Sequence, residues 1–309
     1  MSTISRGGTE LAAHESTPAP TRLSRAATPA EEVCERLAVV LAAGQPIIGA
    51  GAGTGLSAKS AVNGGADLIL VYNSGRFRMA GIGSNAGTLP LGDANAMMME
   101  MGLREILPAV IDTPVVAGVN GTDPTRDMRR LVGQVLEAGF SGAINFPTMG
   151  IIDGRWRQSL EETGFSYRLE VSMLSMARAV GLFTMAYTFT EAETREMSAA
   201  GVHVIVTHLG TTVGGTVGAD PANTPSLDAA IERTGELIAV ARAENPNVLV
   251  LTHGGPIATP EDVRVVLANT SAQGFVGAST MERLPVETAI RDTVREFKSV
   301  PLGASDARP

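Results

Sequence analysis

The sequence predicts a (β/α)8 TIM barrel, with an extra helix and a flexible tail at its N-terminal end. Three observations carry that prediction. Between about Pro46 and Lys298 one unit recurs eight times: a short apolar run, a polar or glycine-rich break, and a helical stretch. That span is close to the ~250 residues usual for such barrels. The apolar runs are short, rich in Val, Ile and Leu, and bounded by Gly or Pro, as strands buried on both faces are. The last two runs end in Gly254-Gly255 and Gly277-Ala278-Ser279, at the strand ends where barrels often hold an anion. A doubly wound sheet would not explain eight regular units.

Composition narrows the function. The chain has 309 residues, 44% hydrophobic and 18% charged, which is enough for one large core. Residues 1–28 are rich in Ser, Thr, Pro and Ala without periodicity and are expected to form a flexible tail; residues 29–309 form the barrel domain. A net charge of −8 argues against nucleic-acid or anionic-membrane binding. No apolar run approaches the length of a membrane span, and the N-terminus lacks a signal-peptide core. The single cysteine, Cys34, forbids an intrachain disulfide, and a cytoplasmic setting is expected. Cys34 lies on the first helix, where packing is its expected role.

Taken in order, Thr28-Pro29-Ala30-Glu31-Glu32 opens a helix to about Ala43. Strand one, from Pro46, dissolves into Gly49-Ala50-Gly51-Ala52-Gly53. These glycines suit a tight barrel loop; no acid follows at the distance a dinucleotide site requires. Strand two, Asp67–Tyr72, leads into a long glycine-dotted loop reaching Asn95 and carrying Arg76, Arg78 and Asp93. Long loops are usually functional. A Met-rich helix follows, with Met97, Met98, Met99 and Met101 expected as packing. Strands three to six end near Asn120, Asn145, Tyr187 and His208. Strand seven, Val248–Leu251, breaks at His253-Gly254-Gly255-Pro256, and Thr259-Pro260-Glu261-Asp262 restarts a helix with N-cap, N1 proline and first-turn acids. Strand eight precedes a last helix from about Pro285 to Phe297.

Active sites of this fold lie at the C-terminal strand ends. His208 and His253 follow parallel Thr-His patterns, would stand about 5 Å apart on adjacent strands, and are candidates as general acid/base partners, a metal pair or oxyanion donors. Glu170 is a reserve base and Arg76 a catalytic cation. Asn73, Arg78, Asn120, Asn145 and Tyr187 are candidate substrate ligands; each strand-end Asn also has a plain capping role open to it. Backbone N–H groups of Gly254, Gly255, Gly277, Ala278 and Ser279 are candidates for a phosphate or carboxylate. Glu282 and Arg283 are expected to form a structural ion pair. No metal motif occurs; Asp123 and Asp153 are the carboxylates that could each hold Mg2+ through one oxygen and several waters. The two lysines, Lys59 and Lys298, lie away from strand ends, which speaks against a Schiff-base aldolase.

The stretches YNSGRFRMAG at Tyr72, GDANAMM at Gly92, NFPTMG at Asn145, LEETG at Leu160, HGGPI at His253 and GASTMERLPVE at Gly277 resemble the phosphoenolpyruvate hydrolase-like TIM-barrel family over about Glu31–Val300. That family also supplies the C-terminal half of a plant virus-inhibitor protein. The resemblance implies kinship with the phosphoenolpyruvate mutase and isocitrate lyase superfamily, whose enzymes act on small 2-oxo acids through an enolate held by Mg2+. It further implies exchange of the last helix between subunits, hence a homo-oligomer, and a separate nucleotide-binding partner protein. The sequence departs from the superfamily in having Ala117-Gly118-Val119-Asn120 where paired aspartates would hold the metal, and in lacking a Cys-Gly-His loop. Two functions follow as expectations. One is a hydrolase or lyase on a small phosphorylated or carboxylated 2-oxo acid. The other is a non-catalytic barrel that binds a metabolite or a protein.

Overall fold

A computed structural model describes residues 26–302; almost all of the expected tail lies outside them. Eight parallel strands close into a barrel in sequence order: β1 (Ile47–Gly51), β2 (Leu68–Val71), β3 (Val115–Val119), β4 (Gly142–Asn145), β5 (Phe183–Thr188), β6 (Val204–His208), β7 (Leu249–His253) and β8 (Gly274–Gly277). Closure is made by β1 against β8, with Ile47 opposite Gly274. Every strand residue except Ile48 and Leu249 is buried, which is why these segments read as continuous apolar runs rather than alternating ones.

The helices are α1 (Ala30–Ala42), α2 (Gly55–Asn63), α3 (Ser74–Met79), α4 (Ala94–Met101), α5 (Leu107–Ala109), α6 (Met128–Glu137), α7 (Gly154–Glu162), α8 (Tyr167–Ala179), α9 (Glu191–Ala199), α10 (Leu227–Glu244), α11 (Pro260–Asn269) and α12 (Arg283–Lys298). Inside the barrel Leu70, Val116, Ile144, Met185, Val206 and Val276 form one cluster, joined by Val33 and Leu37 of α1. Ala30 N–H bonds the Gly181 carbonyl just ahead of β5, so α1 closes the end of the barrel opposite the site. A second cluster fills the layer between strands and helices and includes Met98 and Met101, as expected of packing methionines. Cys34 packs on the inner cluster.

Local chemistry explains most helix starts. Thr259 caps α11 through the Asp262 N–H, with Pro260 at N1, as its sequence predicts. One expectation is corrected. The stretch after Asn73 is no continuous loop: it folds into α3 and a 3-10 turn at Ser84–Thr88. A helix with a Thr190/Glu193 capping box, α9, occupies a stretch that lacks a clear apolar stripe. Pro29, with no side-chain cap bond, precedes α1 in place of a hydroxyl cap. Among the described residues no helix is long and apolar enough to cross a membrane.

Candidate functional site at the barrel mouth

The C-terminal strand ends enclose a small cavity of about 40 Å3, walled by Tyr72, Phe146, Tyr187, Ala278 and Ser279 and entered by Arg78, His208 and His253. That volume holds a water or the head of a small ligand. Two loops fold over it. Thr211 of the β6 loop donates to Asn85 at 3.0 Å, and the Ser84 and Ser279 hydroxyls lie 3.3 Å apart.

The cation of the site is Arg78. Its α3 helix follows β2 directly, and one face of that helix is buried through Ser74, Gly75 and Arg78. The Arg78 Nε donates to Glu282 Oε2 at 2.6 Å, in a pair whose side chains are 0% and 1% exposed. The other carboxylate oxygen, Oε1, accepts from Gly53 N–H at 2.6 Å and the Ser57 hydroxyl at 2.5 Å. Glu282 therefore ties the β1, β2 and β8 loops together. Gly53 permits this, because a Cβ there would stand 2.2 Å from the Gly75 carbonyl oxygen. Both Arg78 Nη atoms are buried without a hydrogen-bond partner, the guanidinium lying over the Tyr72 ring at 5.9 Å. Buried guanidinium N–H groups normally find acceptors, and Arg78 is among the residues that line the cavity. The expected Glu282–Arg283 pair does not form: Arg283 bonds Glu287 and the Gly214 carbonyl.

His208 and His253 are opposite each other in the β6–β7 register, their ring centroids 4.6 Å apart. Tyr187 stands 5.1 and 5.2 Å from the two rings, and Phe189 stacks on His208 at 4.5 Å. The histidines differ in one respect that matters. His253 Nδ1 lies 2.6 Å from the Val276 carbonyl oxygen. A carbonyl can only accept, so Nδ1 carries the proton and Nε2 keeps a lone pair. His208 Nδ1 instead accepts from the Gly210 N–H at 3.1 Å, so the neutral ring carries its proton on Nε2. Burial lowers both pKa values. That of His253 falls to about 4, with the Val276 bond opposing and Arg78 adding to the shift; that of His208 falls well below its ordinary value through burial and the neighbouring His253. Near pH 7 the site holds two neutral imidazoles, one a hydrogen-bond donor and one an acceptor at Nε2.

Other expected residues fall elsewhere. Arg76, two positions from Arg78, turns to the far face of α3 toward Glu100 and Glu105, at 3.8 and 3.6 Å, and does not border the cavity. Glu170 is 0% exposed and clamps the β4 loop: it accepts from Asn145 Nδ2, Thr148 Oγ1 and Met149 N–H at 2.7, 2.7 and 2.6 Å. Burial raises its pKa to about 7 against those bonds. Asn145 joins β4 to β5 by accepting from Tyr187 N–H at 2.7 Å. Asn73 and Asn120 border a separate cleft; Asn73 donates to the Gly87 carbonyl, and Asn120 accepts from Thr122. Ala278 and Ser279 line the mouth. Gly277 ends β8, and a Cβ there would press on Thr280 and Met281. The paired glycines have a packing role. Gly254 and Gly255 have φ of 78° and 59°, a conformation costly for residues with a Cβ. The Gly255 N–H bonds the Gly210 carbonyl at 2.8 Å and so is not offered to an anion.

The residues present do not fit a resident Mg2+. Among the described residues no three His, Cys, Asp or Glu side chains are grouped to hold a metal. Asp123 is engaged by Asn95, Thr125 and Arg126; burial opposes its ionisation, but these bonds prevail and hold it at about 2. Asp153 lies at the start of α7 beside another groove, away from the mouth. The mouth's own carboxylate, Glu282, is already shared among three donors. Mg2+ needs free oxygen ligands, so no step is assigned to one.

Residues 32–300 match the model of the family described as phosphoenolpyruvate hydrolase-like. The chain is 48% identical over 271 residues to the ToMV susceptible protein tm-1(GCR26) of Solanum lycopersicum, covering 87% of this chain and 36% of that protein. It thus spans little more than a third of that relative's length. Among solved structures, a phosphonopyruvate hydrolase in complex with oxalate and Mg++ superposes with TM-score 0.56 at 16% identity, covering 86% of this chain and 87% of that one. A phosphoenolpyruvate phosphomutase from Streptomyces platensis gives 0.57 at 16% identity, covering 86% of each. These likenesses establish the shared fold.

Proposed function

The chain belongs to the phosphoenolpyruvate hydrolase-like family, and on that premise we propose that its barrel mouth stabilises the enolate of a small carboxylated 2-oxo acid, the species left when the bond from the carbon next to the carbonyl to its substituent is broken. The observation that carries this is Arg78, a cavity-lining residue whose two buried Nη groups have no hydrogen-bond partner, beside two neutral histidines. Two parallel N–H donors match a carboxylate. His253 Nε2, holding a lone pair, takes the proton from the carbon next to the carbonyl. The C–H electron pair moves into the enolate, and His208 Nε2–H donates a hydrogen bond to the oxygen on which charge develops. Solvent deuterium entering that carbon, followed by NMR, tests the reading. Absence of incorporation across a panel of 2-oxo acids that bind would leave the barrel as a non-catalytic binder.

The same reading includes a homo-oligomer. α12 turns Val286, Ile290, Val294 and Phe297 outward, 36–76% exposed, on one face of the helix. An apolar groove of about 760 Å3 bordered by Ile48, Val263, Leu267 and Phe275 lies open on the barrel wall beside β8. Both features are covered if α12 of a second copy lies in the groove.

A further inference from the structure

The charge inventory of the mouth goes beyond the reading above, on which it rests. We infer that the site selects a monocarboxylate, a 2-oxo acid with an uncharged tail, and rejects phosphorylated or dicarboxylated acids. Arg78 is the only charged side chain on the cavity wall among the described residues. Glu282 already lies against its Nε at 2.6 Å, fully buried, so only the two Nη groups remain for a ligand. The histidines add no charge in their buried neutral state. Beyond Arg78 the wall turns apolar and hydroxylic, with Phe146, Ile151, Ala278 and Thr212. One carboxylate satisfies both free Nη groups. Among the described residues a second anionic group at the mouth would meet no further cation and no metal-binding cluster, and a buried charge without a partner is strongly disfavoured.

The experiment is a calorimetric titration of the full chain with matched pairs at constant ionic strength. Pyruvate and 2-oxobutyrate are set against oxaloacetate, oxalate, phosphonopyruvate and phosphoenolpyruvate, each with and without Mg2+. Wild type and Arg78→Met are compared. The expected result is that the monocarboxylates bind at least tenfold more tightly than every dianion or trianion, with or without Mg2+, and that Arg78→Met loses them. Equal or tighter binding of the multiply charged acids, lost in Arg78→Met, would overturn the selectivity while leaving the carboxylate site standing. Multiply charged acids that become competitive only with Mg2+ would also overturn it, since a metal would then supply the missing charge. Binding of no acid at all would remove the carboxylate site and the selectivity together. Circular dichroism of Arg78→Met separates lost binding from a lost fold.

Discussion

His208 and His253 face each other across β6 and β7 with ring centroids 4.6 Å apart, yet their Nδ1 atoms are engaged in opposite senses, one accepting from Gly210 and the other donating to Val276. The backbone thus assigns the two rings different chemistry. Replacing His253 with Gln is expected to slow enolisation by roughly 10²–10⁴-fold. His208→Ala should lower it by roughly 10²–10³-fold, the scale of a lost oxyanion donor. Rates of deuterium exchange for the two variants check both numbers. Equal, small effects would show that neither ring touches the reacting atoms.

The Arg78–Glu282 pair makes a stability prediction. Removing one partner leaves the other charge buried, so Arg78→Met or Glu282→Leu alone should cost about 3–5 kcal/mol. The double variant should recover most of that loss while remaining unable to bind an acid. Urea unfolding of the four proteins measures the cycle; a double variant as unstable as the sum of the singles would contradict it.

The buried histidines and Glu170 set opposing pH dependences of stability. His253 titrates at about 4 in the fold, below its unfolded value of 6.5. The stability it contributes is present above 6.5 and is lost as pH falls toward 4. Glu170 titrates at about 7, above its unfolded 4.5. Its contribution is present below 4.5 and is lost as pH rises through 7. His208 is lowered in the same sense as His253, so Glu170 offsets only one of the two histidines and wild type should lose stability as pH falls from 6.5 to 5. Glu170→Gln should lose stability more steeply through that range, by about 2 kcal/mol more than wild type. Melting temperatures across pH 4–8 decide this; parallel curves for the two proteins would contradict it.

The outward apolar face of α12 predicts an assembly. Ile290→Asp with Phe297→Asp should convert an oligomer into a monomer without lowering the helix content. Light scattering after size exclusion reads the mass. A wild-type monomer at micromolar concentration would refute the oligomer.

How much of this was legible beforehand depends on which forces set each feature. The strands were visible because burial on both faces leaves an uninterrupted apolar run. The histidine pairing was visible because the repeated Thr-His pattern becomes one register, Thr207 with Thr252 and His208 with His253. The Arg78 partner was not visible: Glu282 lies 204 residues away, and its neighbour Arg283 offered the nearer but wrong pairing. Arg76 and Arg78 look alike in sequence, but two positions on a helix are about 200° apart, so only one can face the mouth. Gly254 and Gly255 resembled an anion-binding turn, yet their positive φ angles and fit against the β6 loop reflect packing. The β6 loop that covers the cavity has no periodic pattern, and its contact with Asn85 is a tertiary one.

The most direct test of the division of labour is deuterium exchange into 2-oxobutyrate by wild type and His253→Gln, across pH 3.5–8. The account predicts that wild-type exchange holds constant down to about pH 5 and falls as pH passes 4, where His253 gains a proton, and that the variant shows only a residual rate without that inflection. An unchanged profile in the variant, or wild-type exchange that rises with acidity, would contradict the assignment of His253 as the base.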